Sequence, residues 1–390
     1  MPSPADVDRT ALQLAERLIQ LLDRGGFTST YKYAVLIALM DLCMELTSAR
    51  EGLPPESITT DQLARKVIEL YWPHTAPFGE KGVLRQNSGK RMTPEGKVDT
   101  QIEIIQHIER FREKIGPTAT SLSLSRAIHL AGRGAYEELV RAVEWTLIEW
   151  PLPRLQIIGR EEDRFLYDYA FSKETSKREV VSYQRGQVVF DPTTNRGFNN
   201  ALNLRPGVGA SLIALSGLLR PLVYRSWTLM VAHLNNLPES PLEGFLFGEE
   251  RIPLDPVRPG LMDVQRGRCF YCEKGLSDAG KVHVDHFVPW SRHADNGIDN
   301  LVVAHERCNL SKSDFLAAAE HVEHWRERSR SRAADLAQIA RDQTWESHPD
   351  RTVSVARAIY HGLPGDARLW LSGQKFELIE VPRIATALAA

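Results

Sequence analysis

The sequence predicts an α+β chain, mainly helical, with helical domains leading into a small metal-held unit toward the C-terminal end. Three observations carry this. The first third places apolar residues at helical spacing. The middle holds short runs rich in aromatic and β-branched residues, which favour strands. Residues 269–314 then combine two metal-spaced knuckles with a strand, loop, strand, helix order.

Taken in order, residues 7–50 read as two helices. In the first, Leu12, Leu14, Leu18, Ile19, Leu21 and Leu22 keep close to a 3.6-residue period, and Gly25-Gly26 ends it. The second, YKYAVLIALMDLCMEL, is too apolar for a surface and too short for a membrane span, so it is expected in a core. Cys43 lies on it as a plain core residue. Ser57 to Asp61 looks like a helix start. Arg85, Lys90, Arg91 and Lys97 lie in a Gly-rich stretch, either a phosphate-contacting patch or a solvated loop. Residues 1–116 form the expected helical N-terminal domain.

Residues 117–250 form the expected mixed middle domain. RFLYDYAF and VVSYQRGQVVF read as a β-hairpin or small sheet. A long helical stretch follows, with a kink or break expected at Pro221. Its opening GVGAS lacks the Lys and the spacing of a phosphate loop. FLF before the next prolines reads as a short strand. Residues 251–325 hold the knuckles. Residues 326–390 are expected as a helix and small strands that pack back. Arg326, Arg328, Arg330 and Arg332 spread around that helix and read mostly as solvated.

Composition bounds the partners. With 390 residues, 43% hydrophobic and 25% charged, the chain is ordinary for a globular protein of two to four domains. A formal net charge of -2 argues against a broad basic coat for nucleic acid, so any such contact comes from local patches. The first residues lack a signal-peptide pattern, and no long apolar run suits a membrane. Few cysteines, concentrated in the knuckles, fit a reducing, cytoplasmic location.

The knuckles are Cys269-x-x-Cys272 and His305-x-x-Cys308. An x-x spacing lets two ligands from one tight turn reach one ion, and four N or S ligands make a tetrahedral zinc site. Three cysteines leave one over, which disfavours disulfides. His305 stands where a fourth cysteine would be commoner. Between and after the knuckles lie Asp285, His286, Asn300 and Asn309. Asp285 is a hard oxygen ligand suited to Mg²⁺ or another divalent ion. A neutral His286 can take a proton from water. Strand neighbours face opposite sides, so both serve one site only at a strand end or bulge. His283 shares Asp285's face and is either a further contact or a partly exposed strand residue. Lys312 is either a phosphate contact or solvated. Asn309 is expected to open a helix running to Trp325.

C-x-x-C at Cys269, V-D-H-F-V-P at Val284, I-D-N-L at Ile298 and H-x-x-C-N-x-x-K-S-D at His305 together resemble the HNH endonuclease superfamily, the ββα-metal nucleases. The likeness is to the HNH domains of RNA-guided CRISPR nucleases and of McrA-like restriction enzymes. It implies a zinc-bound ββα-metal fold that hydrolyses DNA phosphodiester bonds. By that resemblance, Asp285 and Asn309 hold a catalytic Mg²⁺ or Mn²⁺, and His286 is the general base. Asn300 braces the loop and orients His286. Cys269, Cys272, His305 and Cys308 hold structural zinc.

The implied partner is DNA in duplex form, with no membrane. A homodimer fits, since one such site cuts one strand. A defence-system partner fits the large domains ahead of the nuclease unit. The alternatives are a non-catalytic zinc-ribbon-like adaptor for nucleic acid and a partner-activated RNase.

Overall fold

The most apolar run of the sequence becomes the most buried helix. A computed structural model gives the fold. It describes residues 4–49, 52–89, 91–92, 98–99, 101–116, 119, 122–171, 175–187, 190–191, 197–248, 253–276 and 282–389. The chain divides into two units. One comprises Met1–Leu42 with Pro55–Gly248, the other Cys43–Pro54 with Glu249–Ala390.

In the first unit, α1 (Pro4–Arg24) leads to α2 (Tyr31–Glu45), whose residues from Tyr33 to Met44 are all buried. β1 (Ser57–Thr59) precedes α3 (Thr60–Tyr71). Thr59 caps α3 through the Gln62 N–H, and the Gln62 side chain returns to the Thr59 backbone. The short pair β2 (Arg91–Met92) and β3 (Val98–Asp99) comes before α4 (Glu103–Glu113), α5 (Leu124–Ala131) and α6 (Arg133–Glu149). β4 (Ile157–Ile158) pairs with β5 (Glu161–Glu162). β6 (Tyr167–Tyr169), α7 (Lys177–Gln184) and β7 (Ala201–Leu204) follow. β7 runs antiparallel between β1 and β6. α8 (Val208–Ala214), α9 (Ser216–Asn235) and α10 (Ser240–Phe247) complete the unit.

Two polar clusters buried here are paired, as a low-dielectric core favours. Gln86 links Thr30 at 2.8 Å, Trp227 at 2.9 Å and His74 at 3.1 Å. Asp41 of α2 forms a buried ion pair with Arg220 of α9.

Three expectations for this unit change. VVSYQ is helical, in α7, because Ser176 and Glu179 form a reciprocal cap that starts a helix. FLF belongs to α10, where Pro241 sits in the first turn and Leu242 and Leu246 share a buried face. The interruption expected at Pro221 falls at Leu215 instead, and α9 continues through Pro221. At the sixth position of α9, the missing proline N–H costs the helix one backbone bond. Lys90 and Lys97 lie outside the described residues. The Arg85 guanidinium turns back onto the carbonyls of Asn87 and Ser88.

The second unit opens with α11 (Arg258–Val264) and is built around β8 (Val282–His286) and β9 (Leu301–His305). The two strands are antiparallel, with Val282 opposite His305 and His286 opposite Leu301. α12 (Glu306–Lys312) follows directly, so the expected ββα order is present. The helix starts at Glu306 rather than Asn309 and stops at Ser313, whose φ of 46° breaks the run expected to reach Trp325. α13 (Ala319–Ser331), α14 (Ala333–Gln343) and α15 (Pro349–His361) pack around the strands. The hairpin β10 (Arg368–Ser372) and β11 (Lys375–Leu378) precedes α16 (Val381–Leu388). Val282, Leu301 and Val303 meet Leu261 of α11 and Leu336 of α14 in one core. Among the described residues, no helix is long and apolar enough to cross a membrane.

Arg328 departs from the solvated reading. It is fully buried and donates to the carbonyls of Leu301 at 2.6 Å and Asp299 at 2.9 Å. Burial lowers its pKa to about 10, which still leaves it charged at neutral pH. Arg328→Ala strands these buried acceptors, each costing about 1–3 kcal/mol. Urea unfolding of the full chain is expected to show a stability loss of about 3 kcal/mol, with little effect from Arg330→Ala on the exposed side.

Candidate active site

Four metal-ligand atoms converge at one end of the β8–β9 ladder. The ligand atoms of Cys269, Cys272, His305 and Cys308 all lie within 4.8 Å of one another. The first knuckle is a tight turn in which the Glu273 N–H donates to the Cys269 carbonyl at 2.9 Å, with Glu273 at φ 56°. The Phe270 N–H donates to the Val303 carbonyl at 2.9 Å, which fastens the knuckle to β9. His305 ends β9 and caps α12, so it and Cys308 reach the same point one helical turn apart.

The donor chemistry fits zinc. His305 directs Nδ1 to Cys272 Sγ at 3.3 Å, while Nε2 lies 3.2 Å from the Gly275 carbonyl. A carbonyl only accepts, so Nε2 carries the proton and Nδ1 presents a lone pair to a metal. Burial raises the Cys272 thiol. Hydrogen bonds with the Lys274 backbone, Cys269, His305 and Cys308 outweigh burial and bring it down to about 7. Burial and the charges of Cys269 and Cys272 push Cys308 up to about 12. Three thiols this close resist ionising together, and a shared divalent cation removes the conflict. The cluster fits a Cys₃His zinc site.

The second set of residues straddles β8. Asp285 and His286 are adjacent and buried, and they face opposite sides, as strand geometry dictates. Asp285 Oδ2 accepts from the Tyr271 hydroxyl and lies 3.2 Å from Lys312 Nζ. Lys312 also donates to the His286 carbonyl at 2.8 Å. Asn309 Nδ2 lies 3.3 Å from His283 Nδ1, and Glu306 Oε1 lies 3.9 Å from His283 Nε2. Glu306, Asn309 and Lys312 are spaced by three on α12, which presents them as one stripe to His283 and Asp285.

Lys312 is therefore neither solvated nor at the surface. It is fully buried, where it neutralises Asp285. Tyr271 stands inside the Cys269–Cys272 knuckle and ties the zinc clasp to Asp285. Burial and the Asp285 charge hold its hydroxyl well above its usual pKa, so it stays a donor.

On the other face, His286 Nε2 lies 2.7 Å from Asn296 Oδ1, and its ring tilts against Trp290 at 5.4 Å. Asn300 is wholly buried and does not bond the His286 ring. Its amide oxygen accepts from the Val288 N–H at 2.8 Å, and its amide nitrogen donates to the carbonyls of Val288 and Asp295, each at 3.1 Å. Asn300 thus holds the loop, and Asn296 is the side chain on the imidazole. His293 anchors the same loop, with Nε2 2.9 Å from Glu45 Oε1.

Sequence reasoning missed Tyr271 and Asn296, and it left Lys312 open. For Asn296 a signal existed, since the loop is rich in Asn and Asp, but nothing local ranks its amides.

The family model for HNH endonucleases matches residues 269–318. No curated protein matches the chain. No solved structure matches it. The matched segment spans both knuckles, both strands and α12. An endonuclease domain of this family implies phosphodiester hydrolysis on a nucleic-acid substrate.

Cys308→Ser removes one zinc ligand from a unit whose central ladder is small. Structural zinc supplies folding free energy on the order of 10 kcal/mol in small zinc domains. Elemental analysis is expected to show zinc falling well below one per chain, with hydrogen exchange rising in β8 and β9. Full zinc occupancy in the variant would remove Cys308 from the ligand set.

Proposed function

We propose that the chain is a divalent-metal-dependent DNA endonuclease in which His286 is the general base and Asp285 and Asn309 hold the metal. The observation that supports this reading most is the pairing of His286 with Asn296 at the end of β8. An amide oxygen only accepts, so the imidazole proton sits on Nε2 and the lone pair on Nδ1. A neutral ring with a fixed tautomer can remove a proton from water, an effect worth about 10²–10⁴-fold. Trp290 against the ring and the Asn300-braced loop restrict its orientation.

Asp285 and Asn309 offer hard oxygens, the donors that Mg²⁺ and Mn²⁺ prefer. A bound divalent ion would neutralise charge building on the phosphoryl and leaving oxygens. Tyr271 fixes one Asp285 oxygen, and Lys312 fixes the turn at the His286 carbonyl. On duplex DNA, a single site per chain would nick one strand, and two chains would be needed to cut both. A setting in restriction or anti-phage defence fits a nuclease unit that follows a large first unit in the chain.

Single-turnover cleavage of labelled duplex DNA tests these roles. His286→Ala is expected to lose about 10²–10⁴-fold in rate while keeping zinc and fold. Asn296→Ala is expected to lose about 10- to 10²-fold, because the base remains but its orientation is relaxed. Wild-type cleavage by His286→Ala would overturn the assignment.

A further inference from the structure

The first unit contains a cleft of about 1400 Å³ that the hydrolytic site does not use. Its lining follows from helix periodicity. Arg141 and Trp145 are four apart on α6, and His107 and Arg110 are three apart on α4, so each helix turns one stripe toward the opening. Lys177 and Arg185 flank α7 on the far side.

The charge is one-sided. Lys32, Arg110, Arg141, Arg154, Lys177 and Arg185 line the cleft against two carboxylates, Glu103 and Glu149. Among the described residues, none of these six cations is ion-paired. Burial, then repulsion from Arg154, lowers Lys32 to about 8. Burial, then the Arg110 charge, lowers His107 to about 4, so it is neutral at physiological pH. Six cations facing only two carboxylates raise the local potential, and an anion that reaches several of them relieves it.

Aromatic faces are interleaved with this charge. Lys177 Nζ lies 5.9 Å from the Trp145 ring centroid, and the Arg154 guanidinium lies 5.0 Å from that of Trp150. Trp150 is 43% exposed, an uncommon placement for so large an apolar ring. Phosphate-binding cations beside open indole faces suit a strand whose bases are free to stack. A duplex hides its base faces. The volume also exceeds the roughly 300–1000 Å³ usual for a single small ligand, so several nucleotides fit.

We infer that this cleft binds a single-stranded segment of nucleic acid, with phosphates on Arg110, Arg141 and Lys177 and bases stacked on Trp145 and Trp150. The inference stands apart from the hydrolytic reading, because binding can be read without cleavage.

Fluorescence anisotropy of a labelled oligothymidylate of about twenty nucleotides tests it, using the full zinc-loaded chain carrying His286→Ala. The parent is expected to bind, with affinity falling steeply as salt rises. Arg110→Glu with Lys177→Glu is expected to weaken binding at least 10-fold, and Trp150→Ala about 10-fold. Arg110→Lys with Lys177→Arg is expected to stay within about threefold of the parent, which separates charge from folding. An oligouridylate arm tells DNA from RNA, and the tighter strand names the ligand. Absent binding at low salt, or affinity unmoved by charge reversal in a folded variant, would overturn the inference. So would duplex binding as tight as the single strand, or a mononucleotide competing as strongly as the oligomer.

Discussion

A two-stranded antiparallel ladder of five residues per strand is too small to stand by itself, and the candidate active site is built on one. Everything at the site depends on how β8 and β9 are held in register. Two clamps do this, one at each end. At the His305 end, the Cys₃His cluster brings the first knuckle, the end of β9 and the start of α12 to one point, where a shared zinc would join them. At the His286 end, Asn300 closes the intervening loop with its backbone and all of its amide, so Phe287 and Val288 are fixed just past His286. A one-residue slip would exchange the faces of Asp285 and His286 and dissolve both settings.

The clamps also communicate through side chains. Tyr271 belongs to the zinc knuckle yet donates to Asp285. Lys312 belongs to α12 yet bonds both Asp285 and the His286 carbonyl. Beneath them, Phe287 stacks on Trp325 at 4.7 Å, and Arg328 takes up the backbone carbonyls of Asp299 and Leu301. α13 therefore contributes to the position of His286 by supporting the strand end and the loop return.

The sequence made the ligands legible because knuckle spacing is local. Cys269 with Cys272, and His305 with Cys308, announce themselves within four residues each. The alternation that separates Asp285 from His286 was equally readable, since a strand permits nothing else. Contacts across the fold were not. Tyr271 and Asp285 meet only after the knuckle folds onto β9, and Lys312 is buried only once α12 packs against β8. In the first unit, VVSYQ looked like a strand because its β-branched and aromatic residues outvoted Ser176 and Glu179. The cap was visible in the sequence and carried the stronger mechanism. Likewise Pro241 marked a helix start that the apolar FLF run obscured. The basic cleft draws on residues from Lys32 to Arg185, and no local pattern gathers them.

The central claim is that residues 269–318 form a working phosphodiesterase. Supercoiled plasmid incubated with the zinc-loaded chain, with Mg²⁺ or Mn²⁺ added or withheld, tests it most directly. The account predicts nicked or linear plasmid only where the added divalent ion is present. Plasmid that stays supercoiled under every condition, in the presence of a folded and fully zinc-loaded chain, would contradict it.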